Sequence, residues 1–284
     1  MLQAQLRPAW ETLLRPFAAL PKPVSTQGCD CSFCLPEDRI LALLEIGPES
    51  LTATKEVRSY VQNALGTIGS PEDLSFLLPG LLRLWAEQLW EAGFNDAYRE
   101  HFWYLLRRGE FLRRGLAPEL SRAALDFLRS ALFMRLGSET PLQRISGQGS
   151  PHHWMEDFRE FASSTDGLAE LWTAWWALPG PGHAAAALQF ASCLIFEPAN
   201  NPVFHRWTPL GGGGAPELRA TSFTDLNTRF LESTLSVAYL EEALARAVVL
   251  FRDAAERRLA EAVLDGLRGD PAGVAARLGA MMSG

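Results

Sequence analysis

Cysteine is sparse in this 284-residue chain, yet three of its four cysteines fall in one stretch, Gly28-Cys29-Asp30-Cys31-Ser32-Phe33-Cys34. A C-x-C-x-x-C run gathers soft sulfur donors on a single loop. Thiolates suit zinc, which structural sites surround with a tetrahedron of donors. Cys29, Cys31 and Cys34 would supply three of them, and the fourth must come from elsewhere. His152 and His153, at the start of an expected helix, and Cys193, in an apolar run, are the candidates. Two other readings stay open. The thiols can be reduced and unligated at a helix entry. Alternatively, Cys31 and Cys34 can be a redox pair, although a single C-x-x-C lacks the strand–helix–strand context that gives that motif meaning.

Other polar clusters have a structural reading beside the chemical one. His152-His153 precede Glu156 and Asp157, a mixture that could bind metal or exchange protons. Adjacent helical residues point about 100° apart, and acids in a first helical turn are ordinary dipole complements. His101 sits among Phe102, Trp103 and Tyr104 with no identifiable nucleophile. Arg107-Arg108 and Arg113-Arg114 form a short basic strip, which suits a helix end as well as a phosphate. Trp172, Trp175 and Trp176 share one helical face, the usual pattern of a core stripe. Phe204-His205-Arg206-Trp207 differs, because Trp and Arg on a Gly/Pro-rich loop resemble the composition of binding hot spots. The chain contains no H-E-x-x-H, G-x-S-x-G, EF-hand loop or strand-borne glycine fingerprint.

The elements expected to position these residues are almost all helical. Pro21-Lys22-Pro23 enforces an extended lead-in to the cysteines, and Pro36 opens a helix over 36–46. Thr52 is expected to cap a helix to Leu65. Ser70-Pro71-Glu72-Asp73 is a strong helix start, and Pro79 is expected to kink or split that helix. Further helices are expected from Asn95 or Asp96 to Arg113, over 118–136, 151–161, 166–178 and 182–196, and through most of 223–266. The last is expected to carry one stripe of Leu240, Leu244, Val248, Phe251, Ala255 and Leu259, with Glu242–Arg246 and Asp253–Arg257 pairs outside. The fold class is therefore all-α, built of irregular helical pairs packed in one or two helical subdomains, with two expected as follows. Residues 1–137 form an N-terminal subdomain with the cysteines. Residues 150–284 form a C-terminal one interrupted by a long Gly/Pro loop over 197–222.

Composition narrows the function classes. The net charge is −7, with Lys22 and Lys55 the only lysines. An acidic protein is repelled by nucleic acid and anionic membranes and favours a basic partner. No apolar run reaches the ~20 residues of a spanning helix, and no secretory signal pattern opens the chain. A cytoplasmic location is the resulting expectation, and there clustered thiols read first as ligands.

The strings Phe17…Pro21-x-Pro23, the cysteine cluster, Leu51-Thr52…Tyr60…Ala64-Leu65-x-Thr67-x-Gly69 and Pro71-Glu72-Asp73-Leu74-x-Phe76-Leu77-x-Pro79-x-Leu81-Leu82 resemble a family of bacterial cytosolic helical proteins. The resemblance spans about residues 12–135 and implies a helical fold without implying an activity. Members of that family carry a tighter C-x-C-C cluster, whereas here the third thiol is displaced to Cys34.

These observations lead to a non-enzymatic protein-binding protein, in concrete form a cytoplasmic immunity protein that neutralises a basic interbacterial toxin such as a nuclease. The alternative is a metal-dependent enzyme using Cys29, Cys31 and Cys34.

Overall fold

A computed structural model of the chain describes residues 3–90, 96–140, 153–195 and 222–283. Among these residues the architecture is all-α. No strand forms, and the β-type pairing present is an isolated bridge between Ala64 and Ile68. The chain divides into two compact units, residues 1–131 and 132–284, with the division inside the helix Pro118–Gly137. The segments 141–152 and 196–221 lie outside the described residues.

The first unit contains α1 (Arg7–Phe17), α2 (Glu37–Ile46), α3 (Lys55–Asn63), α4 (Pro71–Gln88) and α5 (Asp96–Arg107). Its centre is α4, which packs against α1, α2 and α5. A reciprocal cap starts this helix. The Asp73 backbone N–H donates to Ser70 Oγ at 3.1 Å, and the Ser70 N–H donates to Asp73 Oδ2 at 2.8 Å. Of the two outcomes expected from sequence, a kink or a split, the split does not occur: α4 runs through Pro79, and Leu77, Leu78, Gly80, Leu81 and Leu82 are all buried around it. An interior proline costs about 3 kcal/mol. Burying a single leucine returns ~1.5–3 kcal/mol, so the packing holds the helix through the break. Gly80 is also required, since a Cβ there would lie 2.4 Å from the Pro48 carbonyl oxygen.

Two further boundaries differ from the sequence reading. The cap of α3 is Thr54, whose Oγ1 accepts from the Val57 N–H at 3.3 Å, and not Thr52. A helical turn over Pro48–Ser50 and the burial of Leu51 keep the chain extended for two more residues. Helix α5 ends at Arg107 and does not reach Arg113. Glu110 adopts φ 53°, and a π-helical turn over Phe111–Gly115 swings Phe111 and Leu112 into the interior. Helix α6 (Pro118–Gly137) comes next and crosses into the second unit.

The second unit holds α7 (His153–Ser164), α8 (Leu168–Trp176), α9 (Pro181–Ile195), α10 (Ser222–Thr234), α11 (Val237–Val248), α12 (Ala254–Gly269) and α13 (Pro271–Ser283). The small buried side chains Ala184–Ala187 let α11 and α12 pack on α9. Trp172, Trp175 and Trp176 are core, as their spacing suggests, and they interlock with Trp154, Phe158 and Phe190. Buried indole N–H groups need acceptors. Trp154 donates to Gln189 Oε1 at 2.7 Å, Trp172 to the Tyr239 hydroxyl at 3.0 Å and Trp175 to the His183 carbonyl at 3.0 Å.

The single helical stripe expected across 240–259 is instead broken between α11 and α12. Asp253 is not an ion-pair partner of Arg257. Its Oδ1 accepts from the N–H groups of Ala255 and Glu256 at 2.8 and 3.0 Å, and that capping starts a new helix. Arg257 donates instead to the Phe251 carbonyl at 2.8 Å. The buried face of α12 is accordingly Ala260, Val263, Leu264 and Leu267, with Ala255 exposed. The expected Glu242–Arg246 pair forms at 3.2 Å.

Candidate metal centre

The chain between α1 and α2 makes a surface hook. Leu35 is buried and anchors its returning arm. The Cys29 N–H donates to the Leu35 carbonyl at 2.9 Å and closes the loop on itself. Gly28 lies so close to the first residue of α2 that a Cβ would meet Glu37 N at 2.1 Å. A side chain at this position would therefore push the two arms apart.

The hook is tied to the connection between α3 and α4. The Gly69 N–H donates to the Gln27 carbonyl at 2.7 Å, with Gly69 in the left-handed region at φ 67°. Thr26 Oγ1 donates to Asp73 Oδ2, the same oxygen that accepts the Ser70 N–H. The Phe33 carbonyl accepts from Ser59 Oγ at 3.4 Å and Asn63 Nδ2 at 3.5 Å. Cys34 Sγ shares a hydrogen bond with Thr67 Oγ1 at 3.3 Å. The α4 start signal thus has a second use, because its buried acid also holds the base of the hook.

These constraints bring the Sγ atoms of Cys29, Cys31 and Cys34 within 4.8 Å of one another. Zinc–sulfur bonds of about 2.3 Å in a tetrahedron place sulfurs roughly 3.8 Å apart, so closure around an ion requires shifts of ~1 Å or less. The thiols suit a soft or borderline cation. Cys29 and Cys34 are half-buried, while Cys31 faces solvent.

Protonation differs along the loop. Cys31 is lowered to about 7, first by hydrogen bonding from the Phe33 backbone and then by the Cys34 and Cys29 side chains. Cys34 moves the other way. Its bond to Thr67 favours the thiolate, but the Cys31 side chain, partial burial and Cys29 together outweigh it and raise the thiol. Metal binding needs thiolates, so Cys31 is the donor prepared for it near neutral pH.

His152 lies outside the described residues. His153 begins α7 and Cys193 lies half-buried in α9, both in the second unit. Among the described residues the three cysteines are the group that converges. Phe204, His205, Arg206 and Trp207 also lie outside the described residues.

Two other clusters have structural roles. Arg108 stacks on the Tyr104 ring at 4.5 Å and donates to the Ala64 carbonyl at 2.5 Å. Arg114 pairs with Glu110 at 2.9 Å. The arginine strip is thus spent largely on internal bonds. His101 is half-buried within α5.

Ser59, Asn63 and Thr67, which orient the hook, were not singled out by sequence. The available signal was the helical spacing of Ser59 and Asn63, which puts both polar side chains on one face of α3. No family model, curated protein or solved structure matches the chain.

Proposed function

We propose that this is a non-enzymatic protein-binding protein, in which zinc held by Cys29, Cys31 and Cys34 is an architectural part of the surface offered to the partner. The hook carries this reading. Its three sulfurs lie within 4.8 Å of one another on a loop in which Phe33 is 85% exposed. An ion would lock a segment closed internally by the Cys29–Leu35 backbone bond. Phe33 and Val24 are the two most exposed large apolar side chains among the described residues, and both belong to the segment between α1 and α2. Aromatic side chains on rigid supports are efficient binding anchors.

The net charge of −7 favours a basic protein partner and speeds its approach at low salt. The same sign disfavours nucleic acid and anionic lipid. Among the described residues no helix is long and apolar enough to cross a membrane. The concrete form of this reading is a cytoplasmic immunity protein that covers a basic toxin, such as a nuclease, delivered between bacteria.

A low-salt pull-down, with zinc measured on the same sample, tests the proposal. The expected result is one basic protein at 1:1 stoichiometry, released by added salt, together with stoichiometric zinc. Capture of no partner contradicts the binding reading, and absence of zinc from chelator-free preparations contradicts the metal reading.

The exposure of Cys31 favours a second reading, a metal-dependent enzyme whose ion keeps a position for water. That enzyme would lose turnover on Cys31→Ser while still folding.

A further inference from the structure

The hook also bears on what completes the ion's coordination, an inference that rests on the zinc reading above. The three sulfurs come from one short loop, and its outer rim, Asp30 to Phe33, is exposed throughout. Three donors from one loop can seat a tetrahedral ion from one side, with the last vertex pointing away from them. The group converging among the described residues contains no imidazole, carboxylate or fourth thiol.

Charge then selects the class of the last donor. Three thiolates on a divalent cation leave a net charge of about −1 at the centre. Asp30 lies in the loop itself, and the first turn of α2 carries Glu37 and Asp38 followed by Arg39. A fourth thiolate or a carboxylate would add a further negative charge there. A neutral nitrogen donor adds none, and Cys3His is an established zinc donor set.

We infer that the zinc ion held by Cys29, Cys31 and Cys34 keeps its fourth position facing solvent, and that this position takes a histidine imidazole from a partner protein. Water fills it otherwise. The exposed ring of Phe33, next to Cys34 in sequence, gives the same partner an apolar contact beside the ion. The metal then serves as a docking point as well as a brace. Its reach is short, because the incoming imidazole nitrogen must come within about 2.1 Å of the ion.

The full-length protein loaded with Co²⁺ in place of zinc tests this directly. Thiolate-to-cobalt charge-transfer absorption reports binding to the cysteines, and the visible d–d bands report the remaining donor. Titration with free imidazole is expected to shift the d–d bands saturably while leaving the charge-transfer absorption in place. The same shift is expected in His152→Ala, His153→Ala and Cys193→Ser.

Unchanged d–d bands in a cobalt-loaded protein would overturn the inference, because the fourth position would already be closed by the chain. A response that emerges only after one of those three substitutions would overturn it too, and would name the internal ligand. A shift with a small thiol but none with imidazole would overturn the donor class. Absence of charge-transfer absorption altogether would instead remove the zinc reading on which the inference stands.

Discussion

Cys31 is the residue on which the chemistry of the hook turns. Its thiol is lowered to about 7 by the hydrogen bonds of the Phe33 backbone and the neighbouring cysteines. The charged form is therefore favoured in the folded protein. The stabilisation it contributes is present at alkaline pH and is lost as pH falls through about 7. In metal-free protein, alkylation of Cys31, read by peptide mass spectrometry, should rise with a midpoint near pH 7. A midpoint near the ~8.5 of an ordinary thiol would contradict the hydrogen-bond pattern.

Tyr60 offers an independent check on the neighbouring packing. Burial, with the charge of Asp73 behind it, raises its hydroxyl well above the ordinary value. Among the described residues neither this hydroxyl nor Asp73 Oδ1 has a hydrogen-bond partner. Tyr60→Phe should therefore leave stability to urea unchanged or raise it by up to ~1 kcal/mol. A loss beyond ~1 kcal/mol would show that the hydroxyl bonds to Asp73 after all.

Helix α4 and the hook are mechanically linked, because Asp73 serves both. Ser70→Ala should cost ~1 kcal/mol through the lost cap. Gly80→Ala should cost ~1–3 kcal/mol, because the added methyl meets the Pro48 carbonyl. Gly28→Ala strikes the backbone of Glu37 and should open the hook. The expected result is weaker zinc retention against a chelator, with far-UV circular dichroism unchanged. Equal retention would mean that the hook does not set the ligand geometry.

Helix starts with a chemical marker were readable from sequence. Ser70 and Pro71 marked α4, and Pro36 preceded α2 as expected. Long-range consequences were not readable. The persistence of α4 through Pro79 depends on burial contributed by other helices. The late start of α3 depends on Leu51 finding the interior. The break at Asp253 was hidden because an acid four residues before an arginine fits an ion pair and a helix cap equally well. At the candidate site, the three cysteines and their convergence were visible in the spacing. The supporting set of Ser59, Asn63 and Thr67 was not, because only the fold carries those residues to the hook.

The molecule combines an all-α scaffold, a net charge of −7 and a cysteine hook at its surface. In the function proposed above, these features would serve a basic partner, with zinc at the three cysteines bracing the contact surface. Association should slow as salt rises toward and beyond 0.15 M, where the Debye length shrinks to about 8 Å. Stopped-flow mixing with the captured partner measures this, and a salt-independent rate would contradict the electrostatic part. Zinc content per chain tests whether an ion braces the hook. Elemental analysis of protein purified without chelator, alongside Cys31→Ser prepared identically, should give stoichiometric zinc in the first and a marked loss in the second. Zinc absent from the unsubstituted protein, or equally present in both, would contradict that bracing.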